Sequence, residues 1–260
     1  MTDIVADRLS FWDSRAELGL AAGSNDLNLK AIEIAALDSL LPAEGNILDA
    51  GCGNAYTLVE LCSSRQSVRM SGFDYSSQMI RQGKEYIDSK GFSSRISISR
   101  QNLLSIDSGS LGQSPFDHIY TQRSLINLDS FEDQLCAIKS LWQLLRPGGT
   151  LLLCESFVDG LNEINNFRKS INLGEIMKPW HNTYFSLDSL EHIASCIESE
   201  FKVHEFSGSY YFVSRVVNAW QASQRGEDPS YSDPSNIMSL DLPPLDVCGQ
   251  SKLISFEKSL

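Results

Sequence analysis

The sequence predicts an α/β fold in which a mostly parallel sheet carries helices on both faces. Short apolar strands alternate with amphipathic helices from residue 27 to residue 154, and such alternation places crossover helices on both sides of parallel strands. One of these strands runs into a turn that contains Gly51 and Gly53. The length of 260 residues suits one α/β domain with insertions, or two small domains.

The spacing of apolar residues assigns the elements in chain order. Pro42 and Gly45 end the first helix, since neither residue continues a helix well. We predict helices over residues 27–41, 57–64, 76–91, 131–145, 187–201 and 211–220. We predict strands over residues 46–50, 68–74, 96–102, 116–121, 150–154, 202–206 and 252–257. Residues 157–185 are predicted to form an insertion over one end of the sheet, and residues 221–236 a polar surface loop.

Composition excludes several classes of partner. The chain has 33 Asp and Glu against 21 Lys and Arg, a net charge of −12, which argues against nucleic acids and anionic membranes because each phosphate contact needs a basic side chain. We find no apolar run near ~18 residues, no apolar secretory segment and no clustering of the six cysteines. We therefore expect a soluble, reduced, cytoplasmic protein with no metal site and no nucleic-acid or membrane partner.

The strongest motif is the run Leu48-Asp49-Ala50-Gly51-Cys52-Gly53, where a strand enters a glycine turn. Glycine lets the backbone bend sharply and approach a ligand closely. Asp74 follows Gly53 by 21 residues, at the end of the next predicted strand. A carboxylate at that place can accept hydrogen bonds from both hydroxyls of a ribose. The motif therefore predicts a site for a ligand that contains a nucleoside.

Two such ligands compete. A dinucleotide site needs a third glycine at the position of Tyr56, so the G-x-G-x-x-G spacing fails. Asp49 in the turn would repel a pyrophosphate but would suit a cation. S-adenosylmethionine has an ammonium, a sulfonium and a ribose, and it has no phosphate. Charge therefore favours S-adenosylmethionine over NAD.

The chain resembles the class I S-adenosylmethionine-dependent methyltransferases over roughly residues 46–206. Residues 48–53 match the first motif of that family, Asp74 matches its second acidic position, and residues 144–149 resemble its L-[KR]-P-G-G turn. The acid on the family's third strand aligns with Asn102, whose amide can still hydrogen-bond adenine. The resemblance implies a doubly wound, Rossmann-like sheet of seven strands, mostly parallel, with helices on both faces and the last strand antiparallel.

The resemblance also implies which residues bind S-adenosylmethionine and its product S-adenosylhomocysteine. Asp49 would face the ammonium, Asp74 would hold the ribose, and Arg15, in a run that resembles a lid, could pair with the carboxylate. The full set is Trp12, Arg15, Asp49, Gly51, Cys52, Gly53, Asp74, Tyr75, Met79, Asn102, Leu103, Gln122 and Arg123. Five of them have a structural alternative: Gly51 and Gly53 as a tight turn only, Trp12 as a core anchor, Arg15 as a surface charge or salt bridge, and Asp74 as a helix cap.

The acceptor side depends on the insertion, because loops at the carboxyl ends of parallel strands form the site. His181 lies in this insertion and is the candidate general base, with a structural loop histidine as the alternative. Arg123 and Arg168 could hold an anionic group of the substrate. Further candidate substrate contacts are Trp180, Asn182 and Tyr184.

We predict transfer of the methyl group of S-adenosylmethionine to a hydroxyl, or an amine, of a small polar metabolite such as a sugar. Residues 123–128 and 180–182 resemble bacterial methyltransferases of polysaccharide and small-metabolite pathways. The alternatives are a non-catalytic S-adenosylmethionine-binding protein and a methyltransferase for a macromolecule. A homodimer is compatible with the sequence. One domain over residues 1–260 would comprise an N-terminal helical lid (1–41), a cofactor-binding core (46–156), a substrate-side insertion (157–185) and a C-terminal part of the sheet (186–260).

Overall fold

Within residues 2–111 and 115–260, which the computed structural model describes, seven strands form one sheet. The strands are β1 (Glu44–Ala50), β2 (Ser67–Asp74), β3 (Ile96–Arg100), β4 (Phe116–Gln122), β5 (Leu145–Ser156), β6 (Phe201–Glu205) and β7 (Ser251–Glu257). Their order across the sheet is β3-β2-β1-β4-β5-β7-β6. Only β7 runs antiparallel to its two neighbours, so the predicted doubly wound, mostly parallel sheet with an antiparallel last strand is confirmed.

Helices flank this sheet and cover the carboxyl ends of its strands. They are α1 (Thr2–Arg15), α2 (Leu27–Leu40), α3 (Tyr56–Ser63), α4 (Ser77–Ser89), α5 (Phe131–Leu144), α6 (Val158–Ser170), α7 (Asp188–Ile197), α8 (Gly208–Phe212), α9 (Asn218–Arg225) and α10 (Pro234–Met238). Among these helices none is long and apolar enough to cross a bilayer.

Two apolar cores lie on opposite faces of the sheet because successive residues of a strand point to opposite sides. Along β1, Leu48 packs into one core and Ile47 into the other. Along β5, Leu151 and Leu153 join the first core, whereas Leu152 joins the second. Burial on both faces explains why β5 reads as an unbroken apolar run from Leu151 to Cys154.

The structure corrects three details of the element assignment. β5 begins at Leu145 rather than at residue 150, since Leu145 already pairs with Phe116 and the register shifts only after that pair. The insertion contains the helix α6. The segment 221–236 is not all loop: α9 continues until Gly226 adopts a left-handed conformation, and the Asp233 side chain caps α10.

β1 lies between β2 and β4: the chain runs from β1 through β2 to β3 on one side and then crosses back to β4 on the other side of β1. In open α/β sheets, ligands bind beside the carboxyl ends of the strands at such a reversal. The end of β1 is also where the glycine turn begins.

Candidate functional site

A cavity of about 190 Å³ lies at the carboxyl ends of β1, β2 and β4. The glycine turn and the loops after β2, β3 and β4 line it, and α1 and α2 close it. Twelve of the thirteen sequence-derived cofactor residues line this cavity: Trp12, Asp49, Gly51, Cys52, Gly53, Asp74, Tyr75, Met79, Asn102, Leu103, Gln122 and Arg123. The structure therefore brings together residues that are far apart in the sequence.

The glycine turn is held against the end of β2. The N–H groups of Gly51 and Cys52 both donate to the carbonyl of Phe73, at 2.9 and 2.8 Å. Gly51 has a φ of 91°, and a Cβ at this position would lie 2.3 Å from the Cβ of Ser124. No larger residue fits there without displacing the loop after β4, so this glycine is required by space as well as by conformation.

Asp49 is the most buried acid of the cavity. It is 2% exposed, and its Oδ2 accepts a hydrogen bond of 2.9 Å from the hydroxyl of Tyr120. Its Oδ1 is buried and has no partner among the described residues. Burial raises the pKa of Asp49 to about 8, against the lowering effect of the Tyr120 bond, and the charge of Asp74 raises it further. A cationic group in the cavity would supply the partner that Oδ1 lacks and would favour the ionised carboxylate.

Asp74 is held by backbone donors on both carboxylate oxygens. Oδ2 accepts from the N–H of Gly53 at 3.0 Å, and Oδ1 accepts from the N–H of Ser76 at 2.8 Å. The cap of α4 is the hydroxyl of Ser76, which accepts from Met79 N at 3.1 Å, so Asp74 does not cap this helix. Burial raises the pKa of Asp74 to about 6. The second lone pair of each oxygen stays available for a diol.

The loop after β3 forms the far end of the cavity with Leu103. Asn102 lines this end too, and its Oδ1 accepts from the N–H of Leu104 at 2.9 Å. Its side-chain NH₂ group is thus the part of the amide that can donate to a ring nitrogen of a base.

The helix α1 lies over the cavity as a lid. Trp12 lines the cavity, and its Nε1 is buried with no partner among the described residues. Arg8 is 8% exposed and also lines the cavity. It forms an ion pair with Asp129, which lies in the loop between β4 and α5. At the other end of the lid, Ser76 donates to the carboxylate of Asp13. The lid is therefore attached to two different loops of the cavity.

Arg15 does not line the cavity, contrary to the role implied for it. Its Nε donates to the carbonyl of Ala22, and its second terminal nitrogen donates to the carbonyl of Ala21 at 2.7 Å. Both carbonyls end the 3₁₀ turn that follows α1, where such groups lack partners within the turn. Arg15 thus fixes the connection between α1 and α2.

A buried acid, Glu33, organises the region around Arg123. Oε2 of Glu33 lies 3.0 Å from Nε of Arg123 and accepts from Nε2 of Gln122 at 2.9 Å, and Oε1 accepts from Ser251 at 2.8 Å. The charge of Arg123 is therefore already compensated, which weakens the expectation that it holds an anionic substrate. The sequence carried a signal for Glu33: it lies one helical turn from Leu29 and from Leu37, both buried, so an acid occupies a core position of α2.

A second buried acid, Glu155 at the end of β5, fixes the loop after β4. Its carboxylate accepts from the backbone N–H groups of Ser124, Leu125 and Ile126, at 3.2, 3.1 and 3.4 Å. Burial raises the pKa of Glu155 to about 7, although these bonds lower it. No local pattern in the sequence points to Glu155, because its partners lie on the loop that follows another strand.

The insertion meets the cavity through the same loop. Asn182 Nδ2 donates to Oδ1 of Asn127, a cavity residue, at 3.1 Å, and Thr183 N donates to the carbonyl of Ile126. His181 packs against Phe11 and Trp12 of the lid, with ring centroids 4.5 and 5.7 Å apart.

His181 is half-buried, and its Nδ1 has no partner among the described residues. Burial lowers the pKa of His181, and the charges of Arg8 and Arg15 lower it further, so the ring is neutral near pH 7. The ring packs against Trp12, which lines the cavity, but the ring does not itself line the cavity.

Three of the sequence-derived substrate residues are placed elsewhere. Trp180 is 60% exposed and packs edge-on against His181. The hydroxyl of Tyr184 accepts from Gln250 at 3.1 Å, outside the cavity. Arg168 donates to two backbone carbonyls and borders a separate cavity between α6 and α9, so the structure does not bring it to Arg123.

The sheet order and this cavity define a class I S-adenosylmethionine-dependent methyltransferase. A family model described as "Methyltransferase domain" matches residues 42–216, and the chain belongs to this family. Among the described residues, no group of three His, Cys, Asp or Glu side chains could hold a metal ion.

Curated relatives are methyltransferases with different acceptors in their names. The chain is 24% identical over 185 residues to malonyl-[acyl-carrier protein] O-methyltransferase of Enterobacter lignolyticus, covering 70% of this chain and 66% of that protein. It is 23% identical over 156 residues to ubiquinone/menaquinone biosynthesis C-methyltransferase UbiE of Geotalea daltonii, covering 60% and 61%. The chain thus spans less than two thirds of the length of these relatives.

Solved structures share the fold at low sequence identity. The DhpI-SAM-HEP complex has a TM-score of 0.62 at 11% identity, covering 99% of both chains. The [4+2]-cyclase SpnF has a TM-score of 0.58 at 16% identity, covering 89% of this chain and 80% of that chain. These similarities concern the fold alone.

Proposed function

We propose that this methyltransferase transfers the methyl group of S-adenosylmethionine to a hydroxyl, or an amine, of a small polar metabolite. The observation that supports this cofactor is Oδ1 of Asp49, which is buried, has no partner among the described residues and lies in a cavity that also presents Asp74. An isolated buried carboxylate oxygen costs free energy unless a cation or a donor meets it. A ligand with an ammonium and a ribose satisfies both acids.

Each part of this cofactor has candidate binding residues in the cavity. Asp49 would hold the ammonium through Oδ1, and Asp74 would accept the ribose hydroxyls. Met79 and Leu103 would flank the base, and Asn102 would donate to one of its ring nitrogens. When bound, S-adenosylmethionine supplies a methyl group on a sulfonium that an acceptor lone pair can displace.

The acceptor would enter beside the loop after β4, near Gln122 and Asn127. This side is enclosed, because α1 and the insertion meet there through the packing of Trp12 against His181 and through the bond between Asn182 and Asn127. These contacts narrow the approach to the cavity on this side, which supports a small acceptor rather than a polymer. The net charge of −12 also supports a substrate other than a nucleic acid.

His181 is the proposed general base for a hydroxyl acceptor. Its lowered pKa keeps Nδ1 free to accept a proton at neutral pH. His181 lies behind Trp12, so an acceptor hydroxyl would have to reach past Trp12 to Nδ1. Its proton would then move to Nδ1 while the acceptor oxygen replaces the sulfur on the methyl carbon, with S-adenosylhomocysteine as the leaving group. Trp180 and Asn182 would support the ring of His181 and the loop that it faces. Arg168 and Tyr184 are not part of this proposal, because their polar groups are bonded elsewhere.

Two further features extend the proposal. All six cysteines are free thiols, which supports a reducing compartment such as the cytoplasm.

The O-methyltransferase among the curated relatives supports an oxygen acceptor, and the C-methyltransferase is the reason to test for methylation of carbon. A homodimer stays a prediction from the sequence.

The test is a product assay with S-adenosylmethionine labelled with ¹³C in the methyl group. The purified protein is incubated with a panel of sugars, hydroxy acids and small amines, and ¹³C NMR identifies the atom that carries the label. We expect an O-methyl or N-methyl product from a small molecule. A C-methyl product, or label recovered only in RNA or protein, would contradict the proposal.

A further inference from the structure

Lys30 of α2 is a buried lysine that forms no ion pair with an acid in the described part of the chain. It is 7% exposed and lines the cavity. No carboxylate oxygen of the described residues lies within 4.0 Å of its ammonium. The contacts of the ammonium are the carbonyl of Leu20, at 3.0 Å, and the ring of Tyr56, whose centroid is 4.6 Å away. A buried ammonium in this state lacks the anion that would compensate its burial.

Glu33, whose charge acts on Lys30, cannot serve as that anion. Glu33 lies on the same helix, but its carboxylate is occupied by Arg123, Gln122 and Ser251. The pair of Glu33 and Arg123 is neutral as a unit, so Lys30 is an excess positive charge at this end of the cavity. Burial lowers the pKa of Lys30 to about 8, the charge of Arg123 lowers it further, and the charge of Glu33 opposes both.

On the other side of the glycine turn, an acid lacks a cationic partner. Asp49 precedes this turn, and its Oδ1 has no partner among the described residues. Tyr56 follows the turn, and the ammonium of Lys30 lies over its ring. The cavity therefore presents, around the same turn, an acid and a base that form no ion pair among the described residues. This arrangement complements a zwitterion that has an ammonium and a carboxylate on one carbon.

We propose that Lys30 binds the carboxylate of the cofactor, so that Lys30 and Asp49 together hold the amino-acid end of S-adenosylmethionine. The inference rests on the cofactor arrangement proposed above. It assigns to Lys30 the role that the sequence suggested for Arg15, whose guanidinium is bonded to the carbonyls of Ala21 and Ala22.

The experiment compares two ligands that differ only in the amino-acid end. S-adenosylhomocysteine has this end, and 5′-methylthioadenosine has the same nucleoside and sulfur without it. Isothermal titration calorimetry at pH 7 measures both ligands against the wild type, K30M, K30R and K90M. Lys90 is the matched control, since it is exposed and lies over another tyrosine ring, that of Tyr86, at 5.5 Å.

We expect K30M to weaken S-adenosylhomocysteine by about tenfold or more, equivalent to roughly 1.4 kcal/mol, and to change 5′-methylthioadenosine by less than about twofold. K30R should recover part of the lost affinity because it restores the charge. K90M should bind both ligands as the wild type does. A thermal melt without ligand shows that each variant is folded.

Several outcomes would overturn the inference. Equal weakening of both ligands by K30M would mean that Lys30 supports the packing of the cavity. Unchanged affinities with a raised KM for an acceptor would mean that Lys30 binds the acceptor instead. D49N separates this failure from that of the cofactor arrangement: if D49N weakens S-adenosylhomocysteine selectively and K30M does not, only the role of Lys30 is wrong. If neither variant affects it, the cofactor arrangement itself is wrong.

Discussion

The hydroxyl of Tyr120 donates a hydrogen bond of 2.9 Å to Oδ2 of Asp49, and Oδ1 of the same carboxylate is buried with no partner among the described residues. The two side chains come from adjacent parallel strands, where Asp49 is directly opposite Tyr120 in the register of β1 and β4. The sheet itself thus sets which oxygen of Asp49 is engaged and which is available to a ligand.

Removing this hydrogen bond should weaken cofactor binding. In Y120F the carboxylate of Asp49 loses a bond that lowers its pKa, so a larger fraction is protonated at pH 7 and cannot pair with an ammonium. We expect S-adenosylhomocysteine to bind about three- to tenfold more weakly by calorimetry, and the free energy of unfolding to fall by about 1 kcal/mol. An affinity equal to that of the wild type would show that Tyr120 does not tune Asp49.

Cofactor affinity should rise with pH between 6.5 and 7.5. Burial raises the pKa of Asp49 to about 8, so in this window the free protein holds a proton that must leave when the ammonium binds. Lys30, with its pKa at about 8, is mostly protonated in the same window and adds little to the slope. Calorimetry in two buffers of different ionisation enthalpy should detect proton release on binding. D49N should abolish both the slope and the release; a slope that persists in D49N would assign it to another group.

Glu155 should contribute to stability through the three backbone N–H groups that it accepts. E155A leaves these buried donors without a partner, and we expect a loss of roughly 3 kcal/mol in urea unfolding. E155Q should lose less because its amide oxygen can still accept.

The pH dependence of Glu155 gives a second readout. Its folded pKa is raised to about 7, so the folded state holds this proton more tightly than the unfolded chain does, and its contribution to stability falls as pH rises from about 4.5 to 7. E155Q should therefore unfold with a smaller difference between pH 5 and pH 7.5 than the wild type. An identical difference would mean that Glu155 is ionised across this range.

Substitution of His181 should affect turnover and not cofactor binding. If Nδ1 accepts the acceptor proton, H181A should lower kcat by about 10²–10⁴-fold and leave the Kd for S-adenosylhomocysteine within about twofold. The acid limb of the pH–rate profile, which should lie below the usual range of histidine because burial lowers the pKa of His181, should disappear. His192, exposed on α7, provides the matched control H192A, which should behave as the wild type. Unchanged kcat in H181A would leave His181 with a packing role under α1.

The sequence was sufficient for features that depend on local pattern. The strands were predictable because β1 and β5 bury apolar residues on both faces. The glycine turn was predictable because Gly51 has a positive φ and no room for a Cβ. Asp74 could be assigned because strand and turn spacing fix its place beside Gly53.

Features that depend on contacts between distant segments were not predictable in the same way. Glu155 acts through the loop after β4, and Glu33 acts through Arg123, which only the folded sheet brings near α2. Arg15 and Arg168 have the right chemistry for anions, but nearby backbone carbonyls occupy their guanidinium groups. Residue type alone does not reveal which donors the fold has already used.

The most direct test of the central claim is a crystal structure with S-adenosylhomocysteine bound. We expect the ammonium within hydrogen-bond distance of Oδ1 of Asp49, both ribose hydroxyls on Asp74, and the sulfur facing the loop after β4 beside Asn127. An ammonium placed away from Asp49, or a ribose that does not contact Asp74, would contradict the arrangement on which the proposed function depends.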